Sequence, residues 1–525
     1  MLSLSLTLWA LAIASVVWRI FEIRSAYKRI GHIPGFITTF GPMSIIGSTL
    51  PHTWWNAGLS FPWHDRDVYK RHQSEVISII PLLWGAPVIY ISSIEVAKQM
   101  MATNAAFGKP PEASRAIEIL GPNIVSADGE TWKRQRRIAA PAFNQKSYQL
   151  VWEETKRSFL QMIDHENWGD KDVVTIPDFN TYTRKIALFV ISACGFGMPL
   201  DWSEPAQNER GEWSNREIIT QVSLNIITKF IAPAWAYKLI PSKHLKKVDH
   251  AYKSIESLLN RLISSRGDEV KKRRAADEDL DDTVRDVFGR LVQAQLQGSS
   301  NPKMSLSDTE IVGNAFLMLF AGHETTAHSM AATLAFLALD TNEQDKLLAH
   351  IQEVVPEGKD LVFEDYDKLE GVLACLYEAI RLFPAGYILF RDAREDVVFT
   401  FPSIKSPGQD DAYHIKKGTS TIVDMVGLCY NDRLYPEPLK YMPSRWYGNT
   451  DRIFAFSTGP RTCLGMKFAT TEAVCFLTHL LRDWRVELNL KDGETPAQWK
   501  EKYMKADFGI TLTLSKVPLK FVKRK

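Results

Sequence analysis

The chain has few cysteines and almost no excess of either charge. Five cysteines stand among 525 residues, at 194, 375, 429, 463 and 475, and no two are spaced as a C-x-x-C pair. That excludes a disulfide framework and a zinc ribbon, and it fits a reducing compartment. Lys plus Arg number 63 and Asp plus Glu 61, for a net charge of +2. So balanced a chain gives no overall electrostatic reason to bind nucleic acid, and none is expected as a partner. Repeats, low-complexity tracts, a G-x-G-x-x-G fingerprint and, beyond residue 50, any long Pro/Ser/Gly linker are also missing. What is there is ordinary for a folded protein, 45% hydrophobic and 24% charged.

One uncharged apolar run exists, Met1 to Trp18, ended by Arg19 and followed by Arg24, Lys28 and Arg29. It predicts a membrane-spanning helix over residues 1–21 whose basic side stays cytosolic. Residues 22–50, with His32-Ile33-Pro34-Gly35, read as a hinge, and 51–525 as one large domain. A cleaved signal peptide is the rival, because Ala12-Ile13-Ala14 has cleavage-site spacing, but no basic segment precedes it. Helical periodicity dominates afterwards, over Trp132 to Ala142, Tyr182 to Phe196, Glu217 to Ile231, Ser307 to Leu339 and Leu369 to Leu382. Strand-like runs are short, at 76–80, 88–91, 397–401 and 510–514. Asp201 to Trp213 and the charge run Arg266 to Asp282 read as surface loops. The expected fold class is mostly α with small β-sheets.

The most informative segment is Phe456-Ser457-Thr458-Gly459-Pro460-Arg461-Thr462-Cys463-Leu464-Gly465. Its glycines and proline make a tight loop ahead of an apolar helix that begins at Met466. Cys463 therefore sits just before a helix N-terminus, where free backbone N–H groups favour a thiolate. Such a thiolate suits haem iron. Phe456 can pack over the metal site, and Arg461 can pair with a propionate. The other four cysteines lack such a loop and read as buried structural residues.

The pattern F-x-x-G-x-R-x-C-x-G resembles the cytochrome P-450 family, the haem-thiolate monooxygenases. Further segments are similar to that family's motifs. Glu378-Ala379-Ile380-Arg381 matches its Glu-x-x-Arg pair, and Pro443-Ser444-Arg445-Trp446 supplies the third partner of an expected ion network. Glu112 to Arg115 and Glu154 to Arg157 have the same spacing, so only context selects Glu378. Ala321-Gly322-His323-Glu324-Thr325-Thr326 resembles the oxygen-activation motif. The resemblance implies that Thr325 holds an oxygen or a water while Glu324 begins a proton relay. His323-Glu324 with His328 also brings a zinc protease to mind, but five steps place the two histidines on different faces. Trp132 to Arg136 resembles the W-x-x-x-R helix, both ends facing a propionate, with Arg391 as another propionate arginine. Lys133, Arg134 and Arg137 form a candidate patch for an acidic electron donor.

The resemblance covers essentially the whole chain and is to the eukaryotic microsomal type, fungal within it. Tyr430-Asn431-Asp432 and Lys416 depart from the usual pattern and bear on subfamily. It implies a cytochrome P-450 fold binding haem b, with O2 as co-substrate. Because the chain carries no second redox domain, NADPH acts through a separate membrane-bound NADPH–cytochrome P-450 reductase, with cytochrome b5 as a second donor. The implied site is an endoplasmic reticulum membrane, single-pass, the catalytic domain facing the cytosol. The substrate would be a hydrophobic small molecule, for example a terpenoid of secondary metabolism. Candidate pocket residues are Phe316, Phe320, Ala321, Ile388 and Phe508, within the wider segments 113–125, 385–389 and 508–510. A haem-thiolate isomerase or dehydratase that does not use O2, and a non-catalytic membrane protein that keeps the fold, are the alternatives.

Overall fold

A computed structural model describes residues 2–102, 106–115, 117–276, 286–297, 305–448 and 453–524. They fall into two compact units, Met1–Pro110 with Gly386–Lys440 and Phe454–Thr462, and Pro111–Ala385 with Tyr441–Ile453 and Cys463–Lys525. The sequence reading expects one domain over 51–525. The chain passes between the units at five points, none of them a composition shift, so nothing local announces the division.

The first unit is built on a six-stranded sheet. Its spatial order is Gly35–Phe40, Val76–Trp84, Val88–Ile91, Ser420–Asp424, Ile388–Ala393, Phe107–Gly108. The run at 76–80 is apolar at every position but Ser78, because both of its faces are covered. Val76 and Ile80 join one core cluster, Ile77 and Ile79 the other. A hairpin, Val397–Pro402 with Asp410–Ile415, and the helix Ile94–Met101 complete the core of this unit.

The expected membrane anchor is a helix, α1 (Leu2–Arg29), ending in Lys28 and Arg29. No helix of the described residues is long and apolar enough to cross a membrane.

The second unit is mainly helical. Its principal members are α2 (Gly129–Ala139), α3 (Gln145–His165), α4 (Asn180–Val190), α5 (Asn215–Leu224), α6 (Ile226–Ile231), α7 (Lys243–Ala275), α8 (Asp308–Leu339), α9 (Glu370–Leu382) and α10 (Met466–Asp483). A sheet of Trp484–Leu488, Leu519–Lys523 and Val173–Ile176 and a hairpin of Ala506–Phe508 with Leu512–Leu514 accompany them. The long α8 starts on a capping box, Ser307 and Glu310 exchanging side-chain and backbone bonds.

Three expectations change here. The helix expected over 182–196 ends as α4 at Val190 and continues as one π-helical turn, Ile191–Gly195. The helix expected over 217–231 is broken at Asn225 into α5 and α6. The expected loop at 266–282 is helical as far as Ala275, where α7 ends. Its charges are helix-spaced partners: Arg266 pairs with Glu269, and Arg273 pairs with the same carboxylate. Asp277, Glu278, Asp279, Asp281 and Asp282 lie outside the described residues.

Candidate active site

Cys463 lies three residues before α10. Of the five cysteines it alone is exposed, the other four being buried. Desolvation by the surrounding protein pushes its thiol up, while the Gly465 N–H and the Arg136 charge pull it down. Two thiolate stabilisers thus act on an accessible sulfur. The loop before it needs glycine at one point. Gly459 has φ of 66°, and an added Cβ would stand 2.4 Å from the Met101 carbonyl oxygen. Both the left-handed backbone and the close approach exclude a side chain there.

Arg136, on α2, is half-buried, and no carboxylate pairs with it among the described residues. Burial lowers its pKa, against the pull of Cys463. A cation in that state is suited to an anionic ligand group such as a propionate. Trp132 is half-buried one turn earlier on the same helix. The basic patch expected around it is smaller than its sequence. Lys133 is tied to Glu130 at 2.7 Å, and Arg134 to Glu310 at 2.5 Å and to the Ser305 carbonyl. Only Arg137 of the three stays outside these pairs. Arg391 belongs to the first unit, where its buried guanidinium donates to the Phe390 carbonyl at 2.7 Å and to Met101 Sδ at 3.2 Å. Phe456 and Arg461 are half-buried in that unit too.

Glu378 gathers five donors. Arg381 Nη2 and Nε reach Oε1 and Oε2 at 2.7 and 2.9 Å, and Arg445 Nε reaches Oε1 at 3.2 Å. The Met442 backbone N–H and Trp446 Nε1 add bonds of 3.0 Å each. Sequence reasoning missed the last two; the Trp of P-S-R-W carried the signal, an indole N–H that needs an acceptor when buried.

Most of α8 is buried on all sides, but Met318, Ala321, Gly322, Thr325 and Ser329 are only partly so. Their spacing places them on one stripe, the open face of an otherwise enclosed helix. Thr325 lies on that stripe, its hydroxyl donating to the Ala321 carbonyl at 2.9 Å. Glu324 flanks it. Burial raises its pKa, opposed by the Arg184 charge and a hydrogen bond from Thr511. Arg184 Nη2 also lies 3.4 Å from His328 Nε2. His328 and His323 are buried and pushed down by desolvation, to about 3 and about 4, so both rings are neutral. What approaches Gly322 closely is a side chain of the π-helical turn: an added Cβ would sit 2.9 Å from Ile191 Cδ1.

The five candidate pocket residues differ in burial. Phe316 and Phe320 lie away from the open stripe and are buried, Phe316 packing on Tyr252 of α7. Ile388 packs into the first unit's sheet cluster. Ala321 is on the open stripe. Phe508 is half-buried in the hairpin, opposite Leu512.

An accessible thiol before a helix N-terminus, an unpaired cation near it and an acid–alcohol pair on a partly open helix face are groups that a thiolate-ligated oxidoreductase would use. The family described as Cytochrome P450 matches residues 70–513. Cytochrome P450 monooxygenase 124 of Postia placenta is 32% identical over 510 residues, 96% of this chain and 96% of that protein. Cytochrome P450 monooxygenase prx9 of Penicillium rubens is 26% identical, over 89% and 84%, and Cytochrome P450 6B6 of Helicoverpa armigera 25%, over 77% and 78%. The chain belongs to the cytochrome P450 family. It is a monooxygenase that uses haem iron and O2, with electrons derived from NAD(P)H and delivered by a redox partner.

Proposed function

We propose that Cys463 is the thiolate ligand of the haem, that Trp132, Arg136, Arg391 and Arg461 hold its propionates, and that Phe456 packs beside the thiolate. The haem supplies the oxygen-activating chemistry. Glu324 holds a proton and Thr325 positions an oxygen or water on the open face of α8, while Glu378, Arg381 and Arg445 keep the fold rigid. The substrate is a hydrophobic small molecule, oxidised by insertion of one oxygen atom, in secondary metabolism such as terpenoid oxidation. Electrons arrive from NADPH through a separate cytochrome P450 reductase, with cytochrome b5 as an auxiliary donor. The α1 helix attaches the chain to the endoplasmic reticulum membrane, catalytic part toward the cytosol. Its exposed Trp9, Ile13, Val16, Val17, Trp18 and Phe21 and its basic end support that attachment.

The observation that carries the monooxygenase reading is the pairing of Glu324 with Thr325 on the half-open stripe of a buried helix. An isomerase or dehydratase has no use for an acid and a hydroxyl serving oxygen. The test is turnover of lipophilic metabolites by the purified protein with reductase and NADPH under labelled O2. One labelled atom per product is expected. Turnover without NADPH and O2 would replace this reading with the isomerase.

A further inference from the structure

Helix α2 carries Trp132 and Arg136 on one side and Arg134 and Gln135 on another, since successive residues of a helix point about 100° apart. The second side meets the first turns of α8. Arg134 Nη1 and Nη2 fork onto Glu310 Oε2 and Oε1 at 3.0 and 2.5 Å, and Gln135 Nε2 donates to Glu310 Oε1 at 3.0 Å. One turn further along α8, Asn314 Nδ2 donates to Gln135 Oε1 at 3.2 Å and to the Glu310 carbonyl at 2.8 Å. Asn314 Oδ1 accepts from the Ile124 backbone N–H at 2.9 Å, in the loop that leads into α2. Gln135, Glu310 and Asn314 are all buried.

The direction of every bond in this chain is fixed from its two ends. A backbone N–H only donates, so Asn314 must turn its oxygen to Ile124 and its NH2 to Gln135. A carboxylate only accepts, so Gln135 must turn its NH2 to Glu310 and its oxygen to Asn314. Burial works against ionisation of Glu310, but the bonds from Arg134, the Ser307 N–H and Gln135 outweigh it and hold the carboxyl below its ordinary range. Both ends therefore demand the same polarity at the central bond, from Asn314 to Gln135, and the chain closes without a clash.

Two residues a turn apart on α8 thus grip two successive residues of α2. Such a grip fixes both the rotation of α2 and its slide along α8. Arg136 follows Gln135 directly, so what sets the rotation of α2 sets the direction of Arg136. The same unbroken α8 carries Thr325 about 16 Å further on.

We propose that Gln135, Glu310 and Asn314 are positioning residues that lock the rotation of α2 against α8, and through it the direction in which Arg136 presents its guanidinium to a haem propionate. The inference rests on the reading of Arg136 as a propionate partner. A single helix then sets both the cation that holds the haem and the alcohol that serves oxygen.

The test is resonance Raman spectroscopy of the full-length, haem-loaded protein, in which the propionate bending band reports the hydrogen bonds that the propionates receive. Arg136→Ala gives the reference shift. Gln135→Met, close in length but without donor or acceptor, and Asn314→Leu leave Arg136 itself in place. Each should move the band in the same direction as Arg136→Ala. Each should also speed haem transfer to excess apomyoglobin about tenfold, the scale of one buried hydrogen bond lost. The exchanged pair, Gln135→Glu with Glu310→Gln, restores the order of donors and acceptors and should return band and rate toward the wild type. A band unmoved in Gln135→Met and Asn314→Leu, with Arg136→Ala shifted, overturns the proposal even where thermal stability falls, because a purely structural brace would lower the melting point and spare the band. An exchanged pair that behaves like Gln135→Met overturns it as well. A band unmoved in Arg136→Ala, with the carbon monoxide spectrum intact, sinks the propionate reading of Arg136 and the proposal with it.

Discussion

Glu378 and Glu472 are the same side chain, both fully buried in the same unit, in opposite surroundings. Glu378, on α9, receives five donor groups, three of them from two arginines. Glu472, on α10, has no hydrogen-bond partner for either oxygen among the described residues, and burial pushes its pKa far above the ordinary carboxylate range. The first is held in place by its donors; the second is an acid whose burial favours the neutral form. Glu324 lies between these extremes, with one charge and one hydroxyl acting on it. A carboxyl whose oxygens are all occupied by donors serves as architecture. A partly satisfied one keeps room for proton exchange, which a relay requires.

Replacing the saturated carboxylate should do the most damage. Glu378→Gln takes a buried charge away from Arg381 and Arg445, at a cost of about 3–5 kcal/mol, seen as loss of soluble, haem-loaded protein or a collapsed denaturation midpoint. A variant as stable as the wild type would show that the network is ornamental. At the intermediate site, Glu324→Gln should leave stability and haem content nearly intact. It should lower coupled turnover about a hundredfold, the usual scale of general acid catalysis, and divert NADPH to hydrogen peroxide. Unchanged coupling would take Glu324 out of the relay.

The first unit offers a third case. Asp424 caps a helix there, accepting bonds from the Tyr69 hydroxyl at 2.8 Å and the Gly427 N–H at 2.9 Å, and burial pushes its pKa up to about 7. Because the folded-state value is raised from 3.8, the folded protein holds this proton more tightly than the unfolded chain does. Its contribution is complete below about pH 4 and is lost as pH rises toward 7. Thermal midpoints of the wild type minus those of Asp424→Asn should therefore fall across that window. A flat difference would contradict the assignment. The smallest effect is expected at the orphan: Glu472→Met removes a carboxyl that bonds to nothing and should change stability by no more than about 1 kcal/mol in either direction. A large loss would reveal a partner that the comparison assumes is missing.

The features legible in the sequence are those whose residue types and spacing are fixed locally. The cysteine loop depends on neighbouring glycines, and the Glu378–Arg381 pair on one helical turn. The buried α8 follows from a long apolar run with a serine cap. The parts that were not legible depend on contacts far apart in the chain. His323 meets Ser223 across 100 positions, and Trp446 meets Glu378 across 68. Phe316 and Phe320 lie on the same helix as Thr325, but Phe316 packs on Tyr252 of α7 and Phe320 stacks on Phe316, contacts that no motif records. The break at Asn225 escaped because its apolar flanks continue the helical period on both sides.

The account depends most on the sulfur at 463. Reduced protein exposed to carbon monoxide should show the red-shifted Soret band of thiolate ligation, and Cys463→Ala should lose it. Retention of that band in the alanine variant would contradict the ligand assignment and the catalytic reading built on it.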